Sequence, residues 1–159
     1  MNTFLPYPDY EKSASVLDDF HPGRLGNQCY REGLTLINGG WSNHPASKMW
    51  LNYRGVDYRY SLCDYLMACA NEMVHRGRVE IAEKWFYYYA DRQSEFEDTG
   101  VPPWLGDERL HSSHRASLLA KPVRKEPDWY FQFGWEETPM GKQYNPKTKR
   151  EEWPYFWPE

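Results

Sequence analysis

The stretch Val56-Asp57-Tyr58-Arg59-Tyr60-Ser61-Leu62-Cys63-Asp64-Tyr65-Leu66-Met67-Ala68-Cys69-Ala70-Asn71-Glu72-Met73-Val74 decides the fold class. Val56, Tyr60, Cys63, Met67, Ala70 and Val74 recur at steps of four and three. On a helix they form one apolar stripe, which ends at Gly77. The same period continues on both sides. Downstream, Ile81, Trp85, Tyr89 and Phe96 predict a helix with acidic residues on its other faces. Upstream, Leu25, Cys29, Leu36 and Ile37 predict a helix from Arg24 to Asn38, stopped by Gly39-Gly40. A shorter helix from about Asp9 to Leu17 follows the extended Leu5-Pro6-Tyr7-Pro8. Another starts near Pro45, where proline suits the first turn, and carries Met49, Trp50 and Tyr53. Asp107 reads as the N-cap of a last helix reaching about Ala120. No stretch alternates with period two for long, so the expected class is mainly α.

The chain has 159 residues, enough for one hydrophobic core, and the expected architecture is a compact single-domain helical bundle. Its helical body spans about residues 1–126. Beyond Pro127 the character changes. Asp128-Trp129-Tyr130-Phe131-Gln132-Phe133-Gly134-Trp135 is an aromatic run, Thr138 to Arg150 is a polar loop with lysines, and Glu152-Trp153-Pro154-Tyr155-Phe156-Trp157-Pro158 ends the chain. Such a tail is costly to leave in water. Residues 127–159 therefore read as an irregular, aromatic-rich strap packed back on the helices.

Composition narrows the function classes. Aromatic residues make up 18% of the chain, far above what a disordered chain carries. Trp and Tyr offer stacking area with a polar tip, useful to a core and to a nucleic-acid base alike. The net charge is −4, and the acidic excess lies wholly in residues 61–120. A basic surface for phosphates must therefore be local. No run reaches the length of a membrane helix, and Met1-Asn2-Thr3-Phe4-Leu5-Pro6 lacks the pattern of a signal peptide. Three cysteines (Cys29, Cys63, Cys69) without a Cys-x-x-Cys spacing point to a reducing, cytoplasmic setting and away from a disulfide scaffold. The sequence holds no phosphate-binding glycine loop, no nucleophile elbow and no His-Glu-x-x-His.

Three constellations could carry chemistry. On an α-helix Arg24 and Arg31, seven apart, share a face, with Glu32 one step round. A carboxylate between guanidinium groups can serve as a base or stabilise a cationic sugar while the arginines hold phosphates; the same spacing also suits a solvated ion pair. Asn43-His44-Pro45, with Lys48 and Tyr53, places His44 where a helix starts and anions are favoured, or where a cap is needed. His111, His114 and Arg115 fall on one helical face. Phosphate binding by Arg115 with the imidazoles as donors is favoured over metal binding, because no companion Cys or His pair stands nearby. A surface network with Asp107 or Glu108 is the plainer alternative.

These pieces in this order resemble the pyrimidine-dimer DNA glycosylase (phage endonuclease V-like) family. The residues concerned are Thr3-Phe4-Leu5-Pro6-Tyr7, Leu17-Asp18, Arg24-Leu25-Gly26, Tyr30-Arg31-Glu32, Asn43-His44-Pro45 with Met49-Trp50, and Pro103-Trp104-Leu105-Gly106-Asp107. His111-Ser112-Ser113-His114-Arg115, Trp129 to Trp135 and Pro154-Tyr155-Phe156-Trp157-Pro158 complete the set. The resemblance implies a helical enzyme without metal or other cofactor that kinks duplex DNA and flips out a base. It implies that an amino-terminal amine, that of Met1 or of Asn2, attacks the sugar C1′ to form an imine, that Glu32 assists, and that strand cleavage follows by elimination. An α-amine has an ordinary pKa near 8, so a useful fraction is nucleophilic at neutral pH. Damaged or modified DNA is then the expected partner. Arg24, Arg31, His44, Lys48, Tyr53, His111, His114, Arg115 and Trp157 are the expected nucleotide contacts. Two alternatives stay open: a non-catalytic binder of a free nucleotide using the same basic, aromatic pocket, and an interaction module built on the aromatic tail. The oligomeric state is open as well.

Overall fold

The computed structural model describes residues 5–19, 23–119, 123, 125–130, 143–145, 149–152, 156 and 158. Met1, Asn2 and Trp157, residues 20–22 and residues 131–135 of the aromatic run lie outside the described residues.

The chain is mainly helical. Its elements are α1 (Tyr10–Val16), α2 (Arg24–Gly26), a π-helical segment (Asn27–Glu32), α3 (Gly33–Ile37), α4 (Pro45–Leu51), α5 (Arg59–His75), α6 (Val79–Gln93) and α7 (Glu108–Leu119). Two three-residue strands, β1 (Gln143–Asn145) and β2 (Arg150–Glu152), pair antiparallel with Gln143 opposite Glu152. They fall in the stretch expected to be a polar loop; three residues are too few for an alternating pattern to show.

Local chemistry sets the helix ends. The Asp9 carboxylate accepts the Lys12 N–H at 2.7 Å and caps α1. Asp107 does the same for α7, accepting the Arg109 N–H at 3.1 Å. Gly77 stops α5 in the left-handed region, at φ 87°, with its N–H on the Val74 carbonyl. Tyr53 does not ride on α4 as expected. That helix ends at Leu51, and Tyr53 forms a bridge with Val56 across the turn Arg54-Gly55. Phe96 likewise falls beyond the end of α6.

Helix α5 is the axis. Helices α1 to α4, the π segment and α6 all pack against it. Because neighbours surround it on several sides, its buried arc is wider than one stripe and includes Leu62, Tyr65, Leu66, Cys69 and Met73. Of the expected stripe, Cys63 and Ala70 are buried, Tyr60, Met67 and Val74 are half-buried, and Val56 precedes the helix. At one end of the core Trp50 meets Trp104 edge-on, with ring centres 4.8 Å apart. The Trp104 indole N–H donates to the Met49 carbonyl at 3.0 Å. All three cysteines are free and buried, and burial pushes the thiols of Cys63 and Cys69 up to about 12. They are packing residues, not nucleophiles.

Three described aromatics of the strap pack onto this body. Trp129 donates to the Val16 carbonyl at 2.8 Å, Tyr130 is buried beside Asp18, and the Phe156 N–H reaches Ser113 Oγ at 3.2 Å.

The expected continuous α-helix from Arg24 is interrupted. The Gly33 N–H bonds the Gln28 carbonyl, five residues back, so the helix widens by one residue per turn there. Gly33 is what permits this packing: a Cβ would come within 2.3 Å of Leu66 Cδ2 and 2.5 Å of the Gln28 carbonyl oxygen. Gly33→Ala is expected to destabilise the protein by about 1–3 kcal/mol through overpacking. A urea titration reads this as a lower midpoint at unchanged slope; an unchanged midpoint contradicts the close approach.

Candidate active site

The π segment rearranges the first constellation. On an uninterrupted α-helix Arg31 would lie in the row of Arg24, and Glu32 about 100° further round. The wide turn takes up one extra residue, so the row beyond it passes to Glu32. Exposure agrees: Arg31 points to solvent, whereas Glu32 is half-buried. Gln28, on the same segment, is buried and accepts a short hydrogen bond from the Tyr65 hydroxyl, which ties the wide turn to α5. Burial, and after it the neighbouring Cys69 and the charge of Glu32, raise the Tyr65 pKa well above its ordinary value.

His44 lies within range of the Glu32 charge. Its Nδ1 accepts the Ala46 N–H at 3.1 Å, so it is the N-cap of α4. Desolvation lowers its pKa and the Glu32 carboxylate pulls it upward, with a net lowering. A pocket of about 700 Å³ opens here, lined by Trp41, Ser42, Asn43, His44 and Pro45. Trp41 is 48% exposed and held at φ 53°, a left-handed conformation that a bulky residue adopts only under constraint. The pocket therefore offers an imidazole, an amide and a presented indole. Lys48 is exposed one turn along α4.

The other expected contacts belong to separate networks. Arg24 Nη1 donates to Asp18 at 2.8 Å and its guanidinium lies 5.2 Å from the centre of the Tyr130 ring. Tyr130 bonds Asp18 through its hydroxyl and also accepts the Asp18 N–H at 3.0 Å. Arg24 is thus the pin between the body and the strap. Tyr53 is 9% exposed and borders a second pocket, of about 470 Å³, with Arg54, Trp104, Arg109 and Phe156. His111, His114 and Arg115 are buried in α7, at 0%, 1% and 4% exposure. His111 Nδ1 donates to the Leu5 carbonyl at 2.7 Å, and its Nε2 accepts the Gly106 N–H at 3.0 Å. Arg115 Nη1 donates to the Pro6 carbonyl at 2.7 Å. His111 and Arg115 hold protein backbone, not an open phosphate site. The structure places His44 within range of the Glu32 charge and groups His111 with Arg115, but it does not gather Arg24, His44 and Arg115 around one ligand.

Sequence reasoning missed Gln28, Tyr65, Asp18 as a partner of Arg24, and Trp41. Gln28 and Tyr65 are 37 residues apart and give no periodic signal. Trp41, directly after Gly39-Gly40, was detectable as an aromatic in a turn. Among the described residues no group of three His, Cys, Asp or Glu side chains could hold a metal ion, and no helix is long and apolar enough to cross a membrane.

The profile of the pyrimidine dimer DNA glycosylase family matches residues 1–86. The chain belongs to this family. The match covers more than half of the sequence and contains Glu32, His44 and the wall of the 700 Å³ pocket. Helix α7 and the strap lie outside it. No curated protein and no solved structure matches the chain significantly. Activity on DNA containing pyrimidine dimers is thus indicated at the level of the family.

The His111 bonds have a consequence for pH. Donation from Nδ1 and acceptance at Nε2 require the neutral ring, and burial pushes its pKa below 6.5, against the pull of the Leu5 carbonyl. The unfolded chain therefore binds this proton first as pH falls. Stability linked to His111 is full above about 6.5 and drains as pH falls from there toward the folded pKa. Denaturation midpoints across that range are expected to fall more steeply for the wild type than for His111→Asn; parallel profiles contradict this.

Proposed function

We propose that the protein removes damaged or modified pyrimidines from DNA as a glycosylase with lyase activity, working at the pocket beside Glu32. The observation that supports this most directly is the family match over the segment that seats Glu32 half-buried, next to His44 and a presented indole. Extrusion of the target nucleotide would bring its sugar to that carboxylate, while the Trp41 ring offers a face for stacking against a base.

In this reading the lone pair of the chain's α-amine forms a bond to C1′ as the bond from C1′ to the base breaks. The base leaves with that electron pair and takes up a proton. Opening of the sugar ring, with O4′ leaving as a hydroxyl, yields an imine at C1′. Removal of a C2′ proton then expels the 3′ phosphate and cuts the strand. Glu32 is the group placed to stabilise the cationic sugar and to move the protons. Met1, with Asn2 behind it, is the proposed source of the amine. Arg31 and Lys48, both exposed, are the proposed phosphate contacts.

Borohydride reduces such an imine to a stable amine, which links protein and DNA. Incubation with ultraviolet-irradiated duplex and borohydride is expected to yield a covalent adduct with the wild type. With Glu32→Gln the rate at saturating DNA should fall roughly 10²–10⁴-fold, with little change in affinity. Absence of any adduct with the wild type, on irradiated and on abasic duplex, overturns the enzymatic reading.

A further inference from the structure

Helix α7 is buried along Leu110 to Leu119, although it contains two histidines, an arginine and three serines. Burying so many polar groups is costly unless each finds a partner. Two of them, His111 and Arg115, find partners on one object, the leading segment Leu5-Pro6-Tyr7. His111 donates to the Leu5 carbonyl and Arg115 to the Pro6 carbonyl, both at 2.7 Å. The Arg115 guanidinium also lies 5.1 Å from the centre of the Tyr7 ring and pairs with Glu108. From the other side Ser13 donates to the Tyr7 carbonyl at 2.8 Å and accepts the Tyr7 N–H at 3.1 Å. Leu5 is fully buried. The segment is thus fixed at three consecutive residues by side chains from two helices.

This fixation is more than packing requires. Apolar side chains would bury the same segment without the desolvation cost of an imidazole and a guanidinium. What the polar clamp adds is a defined position along the chain axis, because each bond is directional. Four residues separate Leu5 from the first α-amine, a span of at most about 14 Å when extended. The clamp therefore bounds where that amine can be.

We propose that His111 and Arg115 are positioning residues that anchor the leading segment and thereby hold the attacking amine against the sugar. The inference rests on the reading of the amine as nucleophile given above. It concerns a helix that the family match does not reach. Neither residue touches the reacting atoms; both act through Leu5 and Pro6. A tethered nucleophile gains its rate from orientation, and a displacement of about 1 Å can cost about 10²-fold.

Two isosteric substitutions separate positioning from packing. In His111→Asn the side-chain amide nitrogen falls where Nδ1 stands and keeps the donor for Leu5. In His111→Gln the amide reaches the Nε2 position, keeps the Gly106 contact and loses Leu5. Both are compared with the wild type in single-turnover borohydride trapping on abasic duplex, alongside DNA affinity and thermal melting. The expected result is near-wild-type trapping for His111→Asn and a loss of about 10-fold or more at saturating DNA for His111→Gln, with affinity unchanged in both. A third protein, with two glycines inserted between residues 3 and 4, leaves α7 and its bonds untouched and is expected to lose trapping by a similar factor. If the wild type traps and the glutamine and insertion proteins trap equally well, the positioning role is overturned while the nucleophile stands. If the wild type itself traps nothing, the nucleophile and the positioning role fall together.

Discussion

A polar helix in the middle of an apolar body must find its hydrogen bonds among whatever packs around it. In this protein α7 meets that constraint by gripping the backbone of the leading segment, with His111 on the Leu5 carbonyl and Arg115 on the Pro6 carbonyl. Neither group could be left unpaired: a buried donor without a partner costs about 1–3 kcal/mol, and a charged one more. The same bonds dictate the neutral Nδ1–H form of His111, since its other nitrogen already accepts from Gly106. The leading segment, the last helix and the Gly106 turn are thereby joined into one unit. Phe156 of the strap joins it through Ser113.

The second organising element is the axis α5 and the wide turn packed on it. Gly33 admits close contact with Leu66, and the buried pair Gln28–Tyr65 fastens the π segment from within. The outcome is a half-buried Glu32 whose charge reaches His44, while Arg31 turns outward. One extra residue in a helical turn decides which side chain of the Tyr-Arg-Glu triplet turns inward. The Arg24–Asp18–Tyr130 network lies apart and closes the strap over α1 and α2.

Much of the helical skeleton was legible because it follows from short-range rules. Asp9, Pro45, Gly77 and Asp107 mark helix ends by capping chemistry that acts within a few residues, and all four stand where expected. The face of α5 was less legible, since one stripe cannot describe a helix enclosed on several sides. The π segment was invisible: nothing in Asn27 to Glu32 departs from ordinary helical composition, and the wide turn depends on contacts with residues far along the chain. For the same reason the roles of Arg24 and Arg115 could not be read. Spacing shows that an arginine shares a face with a neighbour; it does not show whether a carboxylate or carbonyl six or a hundred residues away already occupies the guanidinium. The reach of the Glu32 charge to His44 depends on the turn after α3, which returns α4 against α3 and α5.

A net charge of −4 suits a protein that does not rely on a broad basic surface for its hold on DNA. Attention then falls on covalent capture by a tethered amine. The most direct test is to digest the borohydride-reduced adduct with protease and nuclease and to locate the attached sugar by mass spectrometry. The account predicts that the sugar is found on the α-amine of the amino-terminal peptide. Attachment to a lysine side chain instead would contradict it.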